Sequence, residues 1–161
     1  MIRNLTKVLC AGALLTATQV SLAQESRPIL TQATAKKMAD ACEAMAKAKS
    51  WKMVIAILDA GGNLKHFTRM DDSFLISVGI SQSKANTSAS VPFSSRKFGE
   101  IAKSAVPGLE LTPKTATFAG GLPIITAGGA HIGAIGVSGA SADDDEACAQ
   151  AGIDAVKDAL K

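Results

Sequence analysis

Two histidines, His66 and His131, are the obvious metal donors in the chain, and neither sits in an HxxxH, HExxH or CxxC pair. A closed zinc site needs four converging nitrogen or sulfur donors, so that class is excluded on pattern. A lone imidazole can still supply one ligand to a metal held mainly by another group. Arg69, Met70 and Asp71 follow His66 closely. The Arg69 guanidinium could clamp a carboxylate through its fork, or pair with Asp71 or Asp72, while Met70 could act as a soft donor or fill core. Lys84 stands between Ser83 and Ala85 in a small, uncharged stretch. It is open to three readings: holder of an anionic ligand, base or imine former, or solvated helix lysine. Gly120 and Gly121 ahead of Pro123 permit close backbone approach to a ligand, or tight strand-to-helix packing. Ser138-Gly139 precedes the last helix, whose N-terminus is an anion site in principle. No Ser-His-Asp order or pair of carboxylates supports hydrolase chemistry.

These residues must be positioned by a mixed set of elements. Ala35, Met38, Ala39, Cys42, Met45 and Ala46 recur at helical spacing after Thr31, the natural N-cap. Met53 to Leu58 is continuously apolar, Gly61-Gly62-Asn63 supplies a tight turn, and Leu64 to Met70 returns as a second strand. Alternation in that strand sets Leu64, His66 and Thr68 on one face and Lys65, Phe67 and Arg69 on the other. Asp71-Asp72-Ser73 offers cap chemistry for a helix from Phe74 to Ala89 before Pro92, and a shorter helix follows Ser94-Ser95. Lys103 to Thr117 has no period and is expected to be a loop. Phe118–Thr126 and Ile132–Ser138 frame a second turn, with His131 at the surface beside Gly128-Gly129. Ser141 and Asp144 resemble a capping box for a last helix running almost to Lys161, with Cys148, Ala151, Gly152, Ala155, Val156 and Ala159 inward. The order helix, hairpin, two helices, hairpin, helix predicts an α/β protein of the α+β type, an antiparallel sheet with helices on its faces.

The ends and the composition add compartment and exclude partners. Arg3 and Lys7 precede an uncharged apolar run that closes on Ser21-Leu22-Ala23, the design of a signal peptide over residues 1–23 with the mature domain at 24–161. The run is too short to span a bilayer, so no membrane anchor is expected, and Cys10 lies too deep in it for a lipid-modified cysteine. Residues 1–23 hold Arg3 and Lys7 and no acid, which lowers the 17 basic residues to 15 against 14 acidic. No basic cluster with interleaved aromatics remains, which excludes a nucleic-acid footprint. Cys42 and Cys148 could pair in an oxidising compartment, but their place on apolar helix faces favours two free, hydrophobe-like cysteines. Sheet edges in a domain rich in small apolar residues favour a homo-oligomer.

Three stretches taken in order carry a resemblance. They are Ile57-Leu58-Asp59-Ala60-Gly61-Gly62-Asn63-Leu64 running to Arg69-Met70-Asp71, then Ser83-Lys84-Ala85, then Gly120-Gly121-Leu122-Pro123-Ile124 with Gly133-Ala134-Ile135-Gly136-Val137-Ser138-Gly139. Together they resemble the GlcG/HbpS family over residues 29 to 161. The resemblance implies a profilin-like fold, oligomeric assembly and, in several members, binding of haem or haem-derived iron; other relatives are a glycolate-operon protein and a domain fused to a cobalamin adenosyltransferase. It also matches Lys84 to a lysine the family carries. Haem needs only one axial donor and an apolar slot. His66 is then the leading axial candidate and His131 the weaker one. Met70 could pack on the porphyrin, and Arg69 and Lys84 could hold propionates, with Gly120, Gly121, Pro123 and Ser138 around them. The expected function is a periplasmic haem-binding protein in iron sequestration or haem turnover. The rival is an enzyme or accessory protein of small-acid or aromatic catabolism that holds a carboxylated molecule on Lys84 and Arg69.

Overall fold

The computed structural model describes residues 26–161. The signal-peptide expectation for residues 1–23, Cys10 included, lies outside the described residues. Helix α1 spans Gln32–Ala48, and the Thr31 hydroxyl accepts the Thr34 amide at 3.1 Å, as its N-cap position predicts. Its stripe of Ala35, Met38, Ala39, Cys42 and Ala46 is buried. Strands β1 (Val54–Asp59) and β2 (Leu64–Arg69) form the first hairpin, and β3 (Gly121–Ile125) and β4 (His131–Ser138) the second. All pairings are antiparallel, in the spatial order β2-β1-β4-β3. The two hairpins therefore meet through β1 and β4, whose residues are buried on both faces apart from the strand tips.

One face of the sheet, with Ile55, Ile57, Ile124, Ile135 and Val137, packs on α1 and on α4 (Ala142–Asp154). The other face receives α2 (Leu75–Ser90). There a side chain on Gly136 would lie 2.1 Å from the Ser81 carbonyl, so glycine is what lets α2 sit against the strand. Helix α3 (Ser95–Ser104) follows, capped by Ser94 on the Lys97 amide at 3.1 Å.

Several expectations shift at the edges. Strand β2 does not alternate throughout, because a bulge opposite Ile57 and Leu58 pairs Leu58 with Leu64 and skips Lys65. Leu64 thus joins Phe67 on the α2 face, while His66 and Thr68, opposite Ile57 and Ile55, face α1. Residues 118–120 leave the expected third strand because Ser95 Oγ, at the start of α3, donates to the Phe118 carbonyl at 2.6 Å and accepts the Gly121 amide at 2.9 Å. Helix α2 begins at Leu75 with Phe74 at its N-cap and so no side-chain cap, while the Ser73 hydroxyl, one residue earlier, accepts from Arg69 Nε. Residues Leu109–Leu111 form a 3-10 turn within the expected loop. The last helix stops at Asp154, and Lys157–Leu160 is a separate 3-10 turn. The cap of α4 forms but not the reciprocal bond of a capping box: Ser141 Oγ accepts the Asp144 amide at 3.2 Å and donates to the Asp144 carboxylate at 2.7 Å.

The cysteines correct a sequence expectation. Cys42 of α1 and Cys148 of α4 form a disulfide, with Cα atoms 4.8 Å apart. Both do lie on buried apolar faces, but those faces pack directly on each other, and spacing along one helix cannot show which residue of another it meets.

At the tip of the first hairpin, Asp59 Oδ1 accepts the amides of Gly61 at 2.9 Å and Asn63 at 3.0 Å. Hydrogen bonding from Asn63 first, and from Gly61, holds the Asp59 carboxyl below its ordinary value. A folded pKa below the unfolded one adds stability above the ordinary carboxylate range that is lost as pH falls through the folded pKa. In a carbon-detected NMR titration Asp59 is expected to titrate below about 3.9, the free aspartate value. A midpoint at or above that value would mean the turn does not bind the charged form.

Candidate functional site

The expected site residues separate into three places. The first centres on Lys84, whose side chain is 0% exposed. Its ammonium donates to Asp145 Oδ2 at 2.6 Å and to the Val137 carbonyl at 2.9 Å, and stands 4.8 Å from the centre of the Phe118 ring. Asp145 Oδ1 accepts the Ala140 amide at 3.0 Å, so both carboxylate oxygens are engaged. Burial pushes the Lys84 ammonium down and the Asp145 carboxyl up, and their direct contact opposes both. Gly120 closes this chamber: a side chain there would lie 2.7 Å from Lys84 Nζ. Gly121 likewise faces the Lys84 carbonyl, at 2.3 Å from where its side chain would begin. Pro123 pairs with Ala134 in the sheet. Ser138 is buried, 3.1 Å from the Ser77 hydroxyl. In the first turn of α4 the Asp144 amide is already capped by the Ser141 hydroxyl. Lys84, Gly120, Gly121 and Ser138 thus surround a filled ion pair. Asp145 is the partner that the sequence did not reveal. A single lysine in an uncharged helix was the available signal that a distant acid had to exist.

The second place is the junction after β2. Thr68, Arg69, Met70 and Asp71 line a cleft of 300 Å³ with Glu43, Lys47 and Lys52. Arg69 is exposed and bonds Ser73, through Nε to the hydroxyl at 3.4 Å, rather than Asp71 or Asp72. The Met70 sulfur accepts the Met53 amide at 3.4 Å and packs against the core. His66 Nε2 lies 3.2 Å from Thr68 Oγ1. The cleft has charged walls, and Lys84 is not part of it.

The third place gathers around His131, the first residue of β4, opposite Ile125. Its imidazole lines a 430 Å³ cleft with Arg27, Pro28, Ile29, Ala60, Gly61, Ala130 and Ile132. A second cleft of 260 Å³ shares Pro28, Ile29, Ala60, Gly61 and Ile132 and extends to Lys65. His131 Nε2 is buried and has no hydrogen-bond partner. Such a nitrogen is a standing cost to the fold unless something binds it. Pro28, Ile29 and Ile132 give both clefts hydrocarbon, with Arg27 in one lining and Lys65, together with Asp59, in the other, which suits an apolar group bearing carboxylates. Among the described residues no cluster of three or more His, Cys, Asp or Glu side chains could hold a bare metal ion. A single imidazole donor therefore fits a metal that arrives in its own ring of ligands.

The HbpS-like family model, described as haem-degrading protein HbpS-like, matches residues 30–154. Protein GlcG of Escherichia coli strain K12 is 32% identical over 114 residues, covering 71% of this chain and 84% of its own. The crystal structure of HbpS superposes with a TM-score of 0.74 at 32% identity, covering 81% of this chain and 92% of that one. A crystal structure of a PduOC:heme complex does so at 0.74 and 29% identity, covering 80% of this chain and 95% of that one.

Proposed function

This chain belongs to the HbpS-like family, and from that premise we propose that it is an exported haem-binding protein serving iron sequestration or haem turnover. The observations that carry the site are that His131 lines the cleft between segment 27–30 and the hairpin tips, and that its Nε2 is buried without a hydrogen-bond partner. His66, the stronger candidate on sequence, has its Nε2 within hydrogen-bond distance of Thr68 and faces α1 at a sheet edge, which supports His131 over it. The PduOC:heme complex supports haem as the ligand of this fold. A leader-like residues 1–23 and the Cys42–Cys148 disulfide support an oxidising compartment.

Haem would supply the redox-active iron. His131 would hold the iron, Pro28, Ile29 and Ile132 would exclude water, and Arg27 and Lys65 would hold carboxylates. Haemin titrated into the purified mature chain should give a shifted Soret band. His131→Ala should change that spectrum, and His66→Ala should leave it alone. Arg27→Ala should keep the spectrum and weaken affinity roughly tenfold, the loss of one charge-assisted hydrogen bond. A spectrum moved by His66→Ala alone would transfer the ligand to the β2 edge, and no Soret shift at all would end the haem reading.

A further inference from the structure

A groove runs along the outer side of α2, away from the His131 cleft and sharing no lining residue with it. Its halves measure 340 and 250 Å³ and join at Gly79 and Ser83. One half holds Leu64, Gln82, Asn86 and Lys114; the other holds Ile76, Ile80 and Phe118. Lys114 is the charged residue of the lining, and no carboxylate lines either half. It makes no ion pair among the described residues. Ile76 and Phe118 at the far end are exposed hydrocarbon. One half thus carries a cation and two amide side chains beside Leu58 and Leu64, and the other carries exposed hydrocarbon.

The walls are tied to each other. Asn86 Nδ2 donates to the Lys114 carbonyl at 3.1 Å, across the groove's rim. Thr87 Oγ1 accepts the Ala116 amide at 2.8 Å and donates back to the Ser83 carbonyl at 2.8 Å. Lys114 is held at φ 62, a left-handed conformation that a non-glycine residue keeps only when its surroundings impose it. The loop bearing the cation is therefore set in place before any ligand arrives.

Gly79 is the second, independent observation. Glycine inside a helix weakens it relative to alanine. Most glycines of this fold answer a close contact, as Gly120, Gly121 and Gly136 do, or a left-handed backbone, as Gly62, Gly108 and Gly129 do, yet Gly79 has neither and a side chain there would meet nothing within 4 Å. Packing does not require it. What its missing side chain does is leave the two halves of the groove continuous.

We propose that this groove binds an amphiphilic monocarboxylate, its alkyl or aryl tail along Ile76, Ile80 and Phe118 and its carboxylate on Lys114. The site is separate from the haem cleft. Isothermal titration of the mature chain with sodium octanoate tests it, with 1-octanol as the neutral control. Octanoate should bind and octanol should bind at least tenfold more weakly, as the loss of a charge-assisted contact requires. Lys114→Ala should cost roughly tenfold, and Lys114→Arg should retain binding. Gly79→Leu should abolish octanoate binding while Tm stays level or rises, because the helix gains a better helix former; unfolding then cannot explain the loss. The same Gly79→Leu protein should keep the Soret shift with haemin. Equal affinity for octanol, no heat with octanoate, or binding that survives Gly79→Leu would overturn the inference and leave the haem reading untouched. If Gly79→Leu removes the haemin response as well, the groove is the haem site and the assignment of two separate sites falls.

Discussion

Replacing Lys84 with methionine is expected to destabilise the fold by about 3–5 kcal/mol, the cost of leaving one member of a buried ion pair uncompensated. The partner left behind, Asp145, is 4% exposed and would keep backbone amides such as that of Ala140 but no counter-charge. Tm should fall by on the order of 10 °C, and the urea midpoint should move with it at constant slope. Asp145→Asn should behave similarly, since it leaves the ammonium facing a neutral amide. The double variant Lys84→Met/Asp145→Leu should recover most of the loss, because two apolar groups of similar volume leave no charge to solvate. A Lys84→Met protein as stable as the parent would show that the pair is held by the surrounding packing and adds nothing. The same experiment separates structure from ligand binding: haemin affinity should persist in the folded fraction, since Lys84 is enclosed by Asp145, Val137, Phe118 and Gly120.

Opening the Cys42–Cys148 disulfide should have the other large effect. The bond closes a loop with a sequence separation of 106, and the chain-entropy estimate for a loop of about 100 residues is about 4.7 kcal/mol. Measured losses for native disulfides run at about 2–5 kcal/mol. Cys42→Ala/Cys148→Ala should therefore unfold at a clearly lower denaturant concentration, and dithiothreitol should bring the parent to the same midpoint. The bond joins α1 to α4 on the sheet face where Ile57 and Ile135 are buried, so its loss should loosen that layer first. A midpoint unchanged by reduction would mean that α1 and α4 are held by packing alone.

Much of the fold was legible. The period of Ala35, Met38, Ala39, Cys42 and Ala46, the Thr31 and Ser141 caps and the continuous apolar run of β1 are local signals, and each stands where its chemistry predicts. What failed was decided by competing contacts, some distant in sequence and some between near neighbours. Phe118 to Gly120 left the strand for Ser95, Ser73 gave its hydroxyl to Arg69 instead of capping α2, and a bulge turned Leu64 to the other face. The first is a contact across 23 residues, while the other two are contests between neighbours that residue types alone did not decide.

The site follows the same division. Residue types and spacing along the chain determined which groups were available: two histidines, one lysine in a neutral helix, a helix-facing cysteine on each side of the domain, and motifs that resemble one family. Which of them meet was decided only in three dimensions. Lys84 found Asp145 at a separation of 61 residues, Cys42 found Cys148 at 106, and Arg69 stayed away from both. His66 and His131 are equivalent as letters, but Thr68 stands beside the first and nothing bonds the Nε2 of the second. The physical reason is that side-chain chemistry and secondary-structure period are properties of short segments. Desolvation, ion pairing and hydrogen-bond satisfaction depend on which segments the sheet and its helices press together.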